Sequence, residues 1–461
     1  MIFSFHITTL GCKVNQYESQ ALREAWLTLG WRETLRPSSA KVLVVNSCAV
    51  TAAAVADVRA AVRRLHAEAP LAKIIITGCS AQVVADQMLV LPGVAALVAN
   101  DQKELFIKKP QAFFTALEKT DRFSQPPAPF PHPARSKITP PTFTPLNICD
   151  YTRARPVLKV QDGCSHGCSY CIVPLARGPA RSRPPKDVLA ELERLLEAGF
   201  REVILSGINL RQYSWQEASL DGFDFWDLLN FLETNLPEKW QGKARLRLSS
   251  LEPGQLNAQA LRLFAKSRLL CPHLHISLQS GSPEVLKRMG RGHYDPTSLL
   301  DFCTALRKIW PTFALGADFL MGFPAESGAE FEETFNLARA LPLTYAHVFP
   351  FSPRPGTAAA SLENQVPKDL RAQRAAAIRN LVEIKSEAFL QALCKSFATR
   401  PLHMILENDP AFAKAESSTG LCEYYVECVL PKAPAWAKSR QCLAVRPLKV
   451  EGNTLLVEPW T

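Results

Sequence analysis

From residue 157 onward the sequence repeats one pattern six times: a short, β-rich apolar run, then an amphipathic stretch of helical period. The runs fall at 157–160, 203–206, 246–249, 275–278, 317–321 and 346–349. The amphipathic stretches fall at 185–198, 225–236, 257–265, 282–288, 297–309 and 330–340. A helix between two strands returns the chain to the same end of the sheet, so the strands are parallel. Six such units predict a partial TIM-like (β/α)6 barrel, with its chemistry at the C-terminal ends of the strands.

The same alternation appears before residue 107. Strands are expected at 2–8, 42–45 and 74–77, and helices at 17–29, 53–65 and 81–91. That pattern predicts a doubly wound parallel sheet. Eight prolines lie between Pro126 and Pro145. Proline lacks a backbone donor and disfavours helix in the residue before it, so 108–150 reads as a linker. The chain carries a formal charge of +10, and +6 of it falls within 108–159. A basic linker suits a polyanionic partner or a solubilising spacer. Residues 370–394 read as one long helix. Beyond them, strands are expected at 402–406, 422–430, 443–450 and 455–458, with a Gly452-Asn453 hairpin turn. About 65 residues of short strands suit a small all-β barrel. The expected domains are thus 1–107, the linker 108–150, 151–391 and 392–461, in an α/β chain. No apolar run reaches the ~18–20 residues of a membrane span. The start of the chain has no secretory leader pattern, so a cytoplasmic protein with reduced thiols and no membrane partner is expected.

Thirteen cysteines in that setting ask for metal or catalysis before disulfides. Cys164, Cys168 and Cys171 stand in GCSHGCSYC, a C-x3-C-x2-C motif directly after the first barrel strand. Thiolates are soft ligands for iron–sulfur clusters or zinc. A structural zinc site closes with four ligands, which here would require His166. Three thiolates on a four-iron cluster leave one iron open. Cys12, Cys48 and Cys79 each follow an N-terminal strand and precede a helix. In a parallel sheet such loops share one edge, where ligands bind. These three are expected to hold a second, auxiliary cluster; the alternative is three buried thiols. Cys149, Cys271, Cys303, Cys394, Cys422, Cys428 and Cys442 have no ligand spacing and read as reduced thiols.

Taken in order, the motifs resemble those of the radical SAM methylthiotransferases along essentially the whole chain. They are TLGCKVNQYES (9–19), VVNSCAVT, ITGCSAQ, QDGCSHGCSYCIVPLARGPARSR, LSGINL, RLSSLEP, HLHISLQSGSPEVLKRMGRGHY, ADFLMGFPAES and HVFPFSPRPGTAAA. The resemblance implies an N-terminal cluster domain, a central radical SAM barrel and a C-terminal RNA-binding β-domain of the TRAM type. It implies two 4Fe-4S clusters and S-adenosylmethionine (SAM), which serves as both methyl donor and radical source. GCKVNQYES is similar to the branch that converts N6-threonylcarbamoyladenosine at tRNA position 37 to its 2-methylthio form. Sister branches act on isopentenyladenosine in tRNA or on an aspartate of a ribosomal protein. The C–H replaced in the adenine reaction is neither acidic nor easily displaced, so a radical is required.

The resemblance also implies an electron donor such as flavodoxin or ferredoxin, and the tRNA anticodon loop as partner. Strand ends expected to line SAM are Gly207 and Asn209, Ser249 and Glu252, and Gln279 and Ser280, with Tyr170 beside the adenine. RNA contacts need cations and stacking surfaces. Arg177, Arg181 and Arg183 are expected to serve near the cluster loop. Lys432, Trp436, Lys438, Arg440, Arg446 and Lys449 form an acid-free run in a tail that is otherwise only weakly basic. A non-enzymatic alternative is an RNA-binding iron–sulfur sensor.

Overall fold

The computed structural model describes residues 3–111, 113–114, 143, 146, 148–216, 222–407, 417–432, 434 and 437–460. Most of the Pro-rich segment lies outside the described residues, as does Trp436. The chain forms two compact units. One contains Met1–Asp150, Gln161–Arg183 and Ser352–Ala360; the other contains Tyr151–Val160, Pro184–Phe351 and Ser361–Thr461.

The first unit is built on a parallel five-stranded sheet of order β2-β1-β3-β4-β5. The strands are β1 (Ser4–Thr9), β2 (Arg32–Glu33), β3 (Val42–Ser47), β4 (Lys73–Gly78) and β5 (Val94–Val98). All six residues of β3 are buried, and its first four, Val42–Val45, read as a continuous apolar run. Helix Ala52–Glu68 is capped by the Thr51 hydroxyl, which accepts from the Ala54 amide at 3.1 Å. It sends Val55, Val58, Val62 and Leu65 onto Leu43, Val45, Ile74 and Ile76. Trp26, from helix Lys13–Thr28, anchors an aromatic cluster with Phe5, Trp31 and Phe106. The single helix expected at 81–91 is two short ones, Cys79–Val83 and Ala85–Leu89. They are separated at Val84, which has a non-helical backbone. The β-branched pair Val83-Val84 favours that break.

The chain contributes β6 (Val157–Lys159) to the second unit before returning to the first. There β7 (Gln161–Asp162) and β8 (Arg181–Ser182) form an antiparallel ribbon around the C-x3-C-x2-C loop and helix Val173–Arg177. The stretch expected to open the central domain therefore packs with the N-terminal sheet.

The second unit continues with β9 (Glu202–Ser206), β10 (Arg245–Leu248), β11 (Ser250–Leu251), β12 (His273–Gln279), β13 (Ala314–Met321) and β14 (Tyr345–Pro350). Neighbouring strands pair in parallel, in the orders β10-β9-β6 and β11-β12-β13-β14. Ser249 alone separates β10 from β11, so the two sheets follow one another as in the expected partial (β/α)6 barrel, the half-barrel of the second unit. Helix Lys368–Ser396 leads to a closed barrel of order β15-β16-β17-β19-β18. Its strands are β15 (Leu402–Leu406), β16 (Ser418–Cys422), β17 (Glu427–Leu430), β18 (Cys442–Glu451) and β19 (Thr454–Pro459). Leu402, Met404, Cys422, Cys428, Val445 and Val457 fill it. The single strand expected at 422–430 is instead a hairpin. Tyr425 takes φ +62°, and the Cys422 amide donates to Val426 O at 3.0 Å. No helix among the described residues is long and apolar enough to cross a membrane.

Candidate cofactor sites

Cys12, Cys48 and Cys79 follow β1, β3 and β4, on one edge of the sheet. The loops approach closely: a Cβ on Gly11 would lie 2.6 Å from Cys48 Cβ, and Gly11 has φ +98°. Cys12 is exposed, whereas Cys48 and Cys79 are buried. Burial pushes the Cys48 thiol up to about 11, reinforced by its two sister thiols, and burial likewise raises Cys79. Cys48 and Cys79, which resist ionisation by themselves, and Cys12 beside them fit a cationic group that would hold the set as thiolates.

A buried charge network lies behind them. Arg177 donates to Glu18 Oε1 and Asp162 Oδ1, each at 2.9 Å, and to Asn15 Oδ1 at 2.8 Å. The Cys12 thiol lies 3.8 Å from the same Asn15 oxygen. Lys103 pairs with Glu18 Oε2 at 2.5 Å. Burial opposes the Arg177 charge, but Glu18 and Asp162 overcome it and hold its pKa well above the ordinary value. Its charge also acts to lower the Cys48 and Cys79 thiols. Arg354 is buried too; burial lowers its pKa, and Cys48 acts against that shift.

Cys164 is buried, and its sulfur accepts from the His166 amide at 3.4 Å. Cys168 and Cys171 are half-buried, and the Cys171 amide donates to Cys168 O at 3.1 Å. Gly163 has φ +69°, and a Cβ there would meet Pro179 O at 2.0 Å, so only glycine lets the loop close. Three thiols spaced on one closed turn fit a group with three protein ligands. The segment Ser352–Ala360 reaches both loops of this unit. Ser352 Oγ accepts from Ala52 N at 3.4 Å, and Ala359 N donates to Ser169 O at 2.8 Å.

The structure corrects part of the expected RNA-binding set. Arg177 is 5% exposed and Arg183 fully buried, the latter with its guanidinium 3.4 Å from the Tyr17 hydroxyl. Neither reaches solvent, so neither can meet a phosphate. Arg181 is half-buried on Asp162 Oδ2 at 3.0 Å. Lys432 and Lys438 are exposed. Arg440 lies over the Phe200 ring and donates to Tyr151 O at 2.9 Å. Arg446 and Lys449 are exposed but pair with Glu458 and Glu451.

In the second unit the expected SAM-lining residues do cluster at strand ends, but several are already engaged. Asn209 caps a turn by accepting from Arg211 N at 3.1 Å. Glu252 is buried against Arg291, at 2.9 and 2.8 Å. Ser280 is fully buried, 3.0 Å from the Thr334 hydroxyl, and accepts from Ser282 N. Its hydroxyl serves the fold, which removes it as a SAM contact. Gly207 and Gln279 are half-buried, Gln279 at φ +66°, and Ser249 is buried. Tyr170, between Ser169 and Cys171 in the first unit, is half-buried.

Sequence reasoning missed Asn15, Glu18, Lys103 and Asp162. The signal was there: Asn15, Glu18, Ser19 and Gln20 are polar yet sit on the buried face of helix Lys13–Thr28.

Comparison with known proteins gives two family matches. Residues 158–338 match the Radical SAM superfamily, and residues 4–100 match "Uncharacterized protein family UPF0004". The chain is 32% identical over 432 residues to a Bacillus subtilis protein named threonylcarbamoyladenosine tRNA methylthiotransferase MtaB, covering 92% of this chain and 89% of that one. A Thermotoga maritima protein of the same name is 34% identical over 369 residues, 80% of this chain and 79% of that one. A Syntrophobacter fumaroxidans protein named tRNA-2-methylthio-N(6)-dimethylallyladenosine synthase is 31% identical over 421 residues, 90% and 87% of the two chains. Among solved structures, the radical S-adenosylmethionine methyltransferase TsrM of Kitasatospora setae, with cobalamin and a [4Fe-4S] cluster bound, is similar in fold. Its TM-score is 0.57 at 15% identity, covering 78% of this chain and 74% of that one.

Proposed function

Because the chain belongs to the radical SAM tRNA methylthiotransferases, we propose that it converts N6-threonylcarbamoyladenosine at tRNA position 37 to the 2-methylthio derivative, using two 4Fe-4S clusters. The family membership carries SAM and one cluster with it. The observation that favours a second cluster is the pair of three-cysteine sets within one compact unit. Cys164, Cys168 and Cys171 would hold the cluster that meets SAM, and Cys12, Cys48 and Cys79 the auxiliary one. When bound, these groups supply the radical that abstracts the adenine hydrogen and the sulfur that replaces it.

The chain's own residues have narrower tasks. Gly163 closes the first cysteine turn. Arg177 and Lys103 put positive charge behind the second set, and Asn15 fixes the Arg177 fork. Lys432 and Lys438 offer exposed cations to the tRNA anticodon loop. The reading includes a flavodoxin- or ferredoxin-type electron donor and a cytoplasmic setting, where tRNA and reduced thiols coexist.

Names of relatives support the threonylcarbamoyl substrate, but the dimethylallyl synthase is nearly as similar, so the substrate needs its own test. The experiment is nucleoside mass spectrometry of tRNA from cells lacking the gene, complemented with wild type, Cys168→Ala or Cys48→Ala. Loss of the methylthio form with accumulation of threonylcarbamoyladenosine is expected, restored by wild type alone. Purified Cys48→Ala is expected to retain some SAM cleavage, and Cys168→Ala none. Loss of methylthio-isopentenyladenosine instead would move the protein to the sister branch. Full activity of Cys48→Ala would remove the auxiliary cluster.

A further inference from the structure

His275, Asp318 and His347 stand on three adjacent parallel strands, β12, β13 and β14. Asp318 is in register with His347, and His275 with Gly316, so alternation sends all three side chains to one face of the sheet. Asp318 Oδ1 lies 3.0 Å from His275 Nε2 and 3.2 Å from His347 Nδ1. One donor atom from each residue falls within 4.8 Å of the others. Two ligand atoms held about 2.0–2.2 Å from one ion stand roughly 2.9–3.5 Å apart for cis-octahedral to tetrahedral angles. Both measured separations fall inside that window.

The surroundings hold these groups in place. The Tyr345 hydroxyl lies 3.0 Å from His275 Nδ1 and 2.8 Å from His273 Nε2. It occupies the ring nitrogen that does not face Asp318, as the outer partner of a metal-bound histidine does. Gly316 makes room for this contact: a Cβ there would meet Tyr345 Cζ at 2.1 Å and His275 Nδ1 at 2.6 Å. The Tyr425 ring packs on Tyr345 and His273 from the other side, with centroids 5.3 and 4.8 Å away. His347 is half exposed, which leaves an entry path and an open position.

We propose that His275, Asp318 and His347 bind one divalent transition-metal ion, with a further position left for water or another oxygen donor. Two imidazoles and one carboxylate select manganese, iron(II) or zinc, and they differ in kind from the thiolates that hold iron–sulfur clusters. The site does not depend on either cysteine set and adds to the tRNA methylthiotransferase reading without resting on its substrate.

The test is an anaerobic Mn2+ titration of the cluster-loaded enzyme, followed by the electron paramagnetic resonance signal of free Mn2+. Cysteine sites disfavour this ion, so the loaded clusters do not compete for it. One saturable site per chain is expected. Asp318→Asn and His347→Gln should each abolish it, and Tyr345→Phe should weaken it about 10–100-fold. Iron content and the melting curve report whether each variant is folded. Absence of saturable binding in the wild type overturns the proposal, whatever the variants do. So does equal affinity in folded His347→Gln, because the ion would then be held by other residues.

Discussion

Arg177 follows Cys171 by six residues, yet its guanidinium ends among the groups around Cys12, Cys48 and Cys79. The helix Val173–Arg177 thus ties one cysteine loop to the pocket of the other, inside a single compact unit. Asp162, two residues before Cys164, accepts the same guanidinium and closes the tie from the near side. Buried ion networks are weak sources of net stability, but breaking one by deleting a partner is costly, because the remaining charges stay buried. Arg177→Gln removes the cation that Asp162 and Glu18 share, while Arg181 still pairs with Asp162 and Lys103 with Glu18. It is expected to cost about 3–5 kcal/mol, read as a lower unfolding midpoint. Arg177→Lys should fall between the two proteins, since it restores charge without the fork. An unchanged midpoint in Arg177→Gln would show that the charges rearrange freely, against the geometry described above.

At the scale of elements, the start of one helix is fixed in part by charge chemistry. Helix Gly328–Ala340 opens with a capping box: Ser327 accepts from Glu330 N at 3.2 Å, and Ser327 N donates to Glu330 Oε2 at 2.8 Å. Arg288 grips the same carboxylate at 2.8 and 3.0 Å. Its hydrogen bonds, with those of Ser327, hold Glu330 down to about 2, below the ~4.3 of an unfolded chain. A depressed carboxyl stabilises the fold fully above its unfolded value, and that contribution disappears as pH falls through about 2. Glu330→Gln is therefore expected to lower the midpoint near pH 6, with the deficit shrinking between about pH 4 and 2. Thermal melts of both proteins without clusters, at several pH values, check this; a deficit independent of pH would assign the effect to packing. Patterns of this local kind were legible: the six barrel strands, their helices and the Gly452 turn follow from periodicity and turn chemistry. The failures have physical causes. Val84 breaks a helix at a β-branched pair, and Tyr425 turns a strand through a left-handed backbone that hydrophobic periodicity does not register. The placement of Cys12, Cys48 and Cys79 directly after strands was readable from the alternation of elements. Arg177 and Arg183 were misassigned because a basic run looks the same whether it faces solvent or a buried carboxylate.

At the scale of the whole molecule, one buried carboxylate organises the link from half-barrel to β-barrel within the second unit. Glu202 on β9 is fully buried and accepts from Arg247 at 2.6 and 3.0 Å and from Arg245 at 2.6 Å. Burial opposes its ionisation, but the Arg247 and Arg245 charges hold it well below the usual carboxylate range. The same arginines spend their remaining donors on the tail. Arg247 reaches Cys422 O at 2.9 Å and Glu423 O at 3.1 Å; Arg245 reaches His403 O at 2.9 Å and Leu421 O at 3.2 Å. Arg247 also lies 5.3 Å from the Tyr425 ring centroid. Across the expected boundary at 392, partial barrel and β-barrel thus belong to one compact unit. Glu202→Gln keeps the size of the side chain but removes the charge that aims both arginines. The clamp should then loosen, while the β-barrel keeps its own core of Leu402, Met404, Cys428 and Val457. Hydrogen exchange separates these two layers, because local opening and global unfolding expose different amides. Amides of the Cys422–Glu427 turn are expected to exchange faster in Glu202→Gln, with those of β18 and β19 unchanged. Uniform acceleration across all five strands would mean that the β-barrel depends on the clamp for its fold, and unchanged exchange throughout would mean that the arginine–carbonyl bonds hold without the carboxylate.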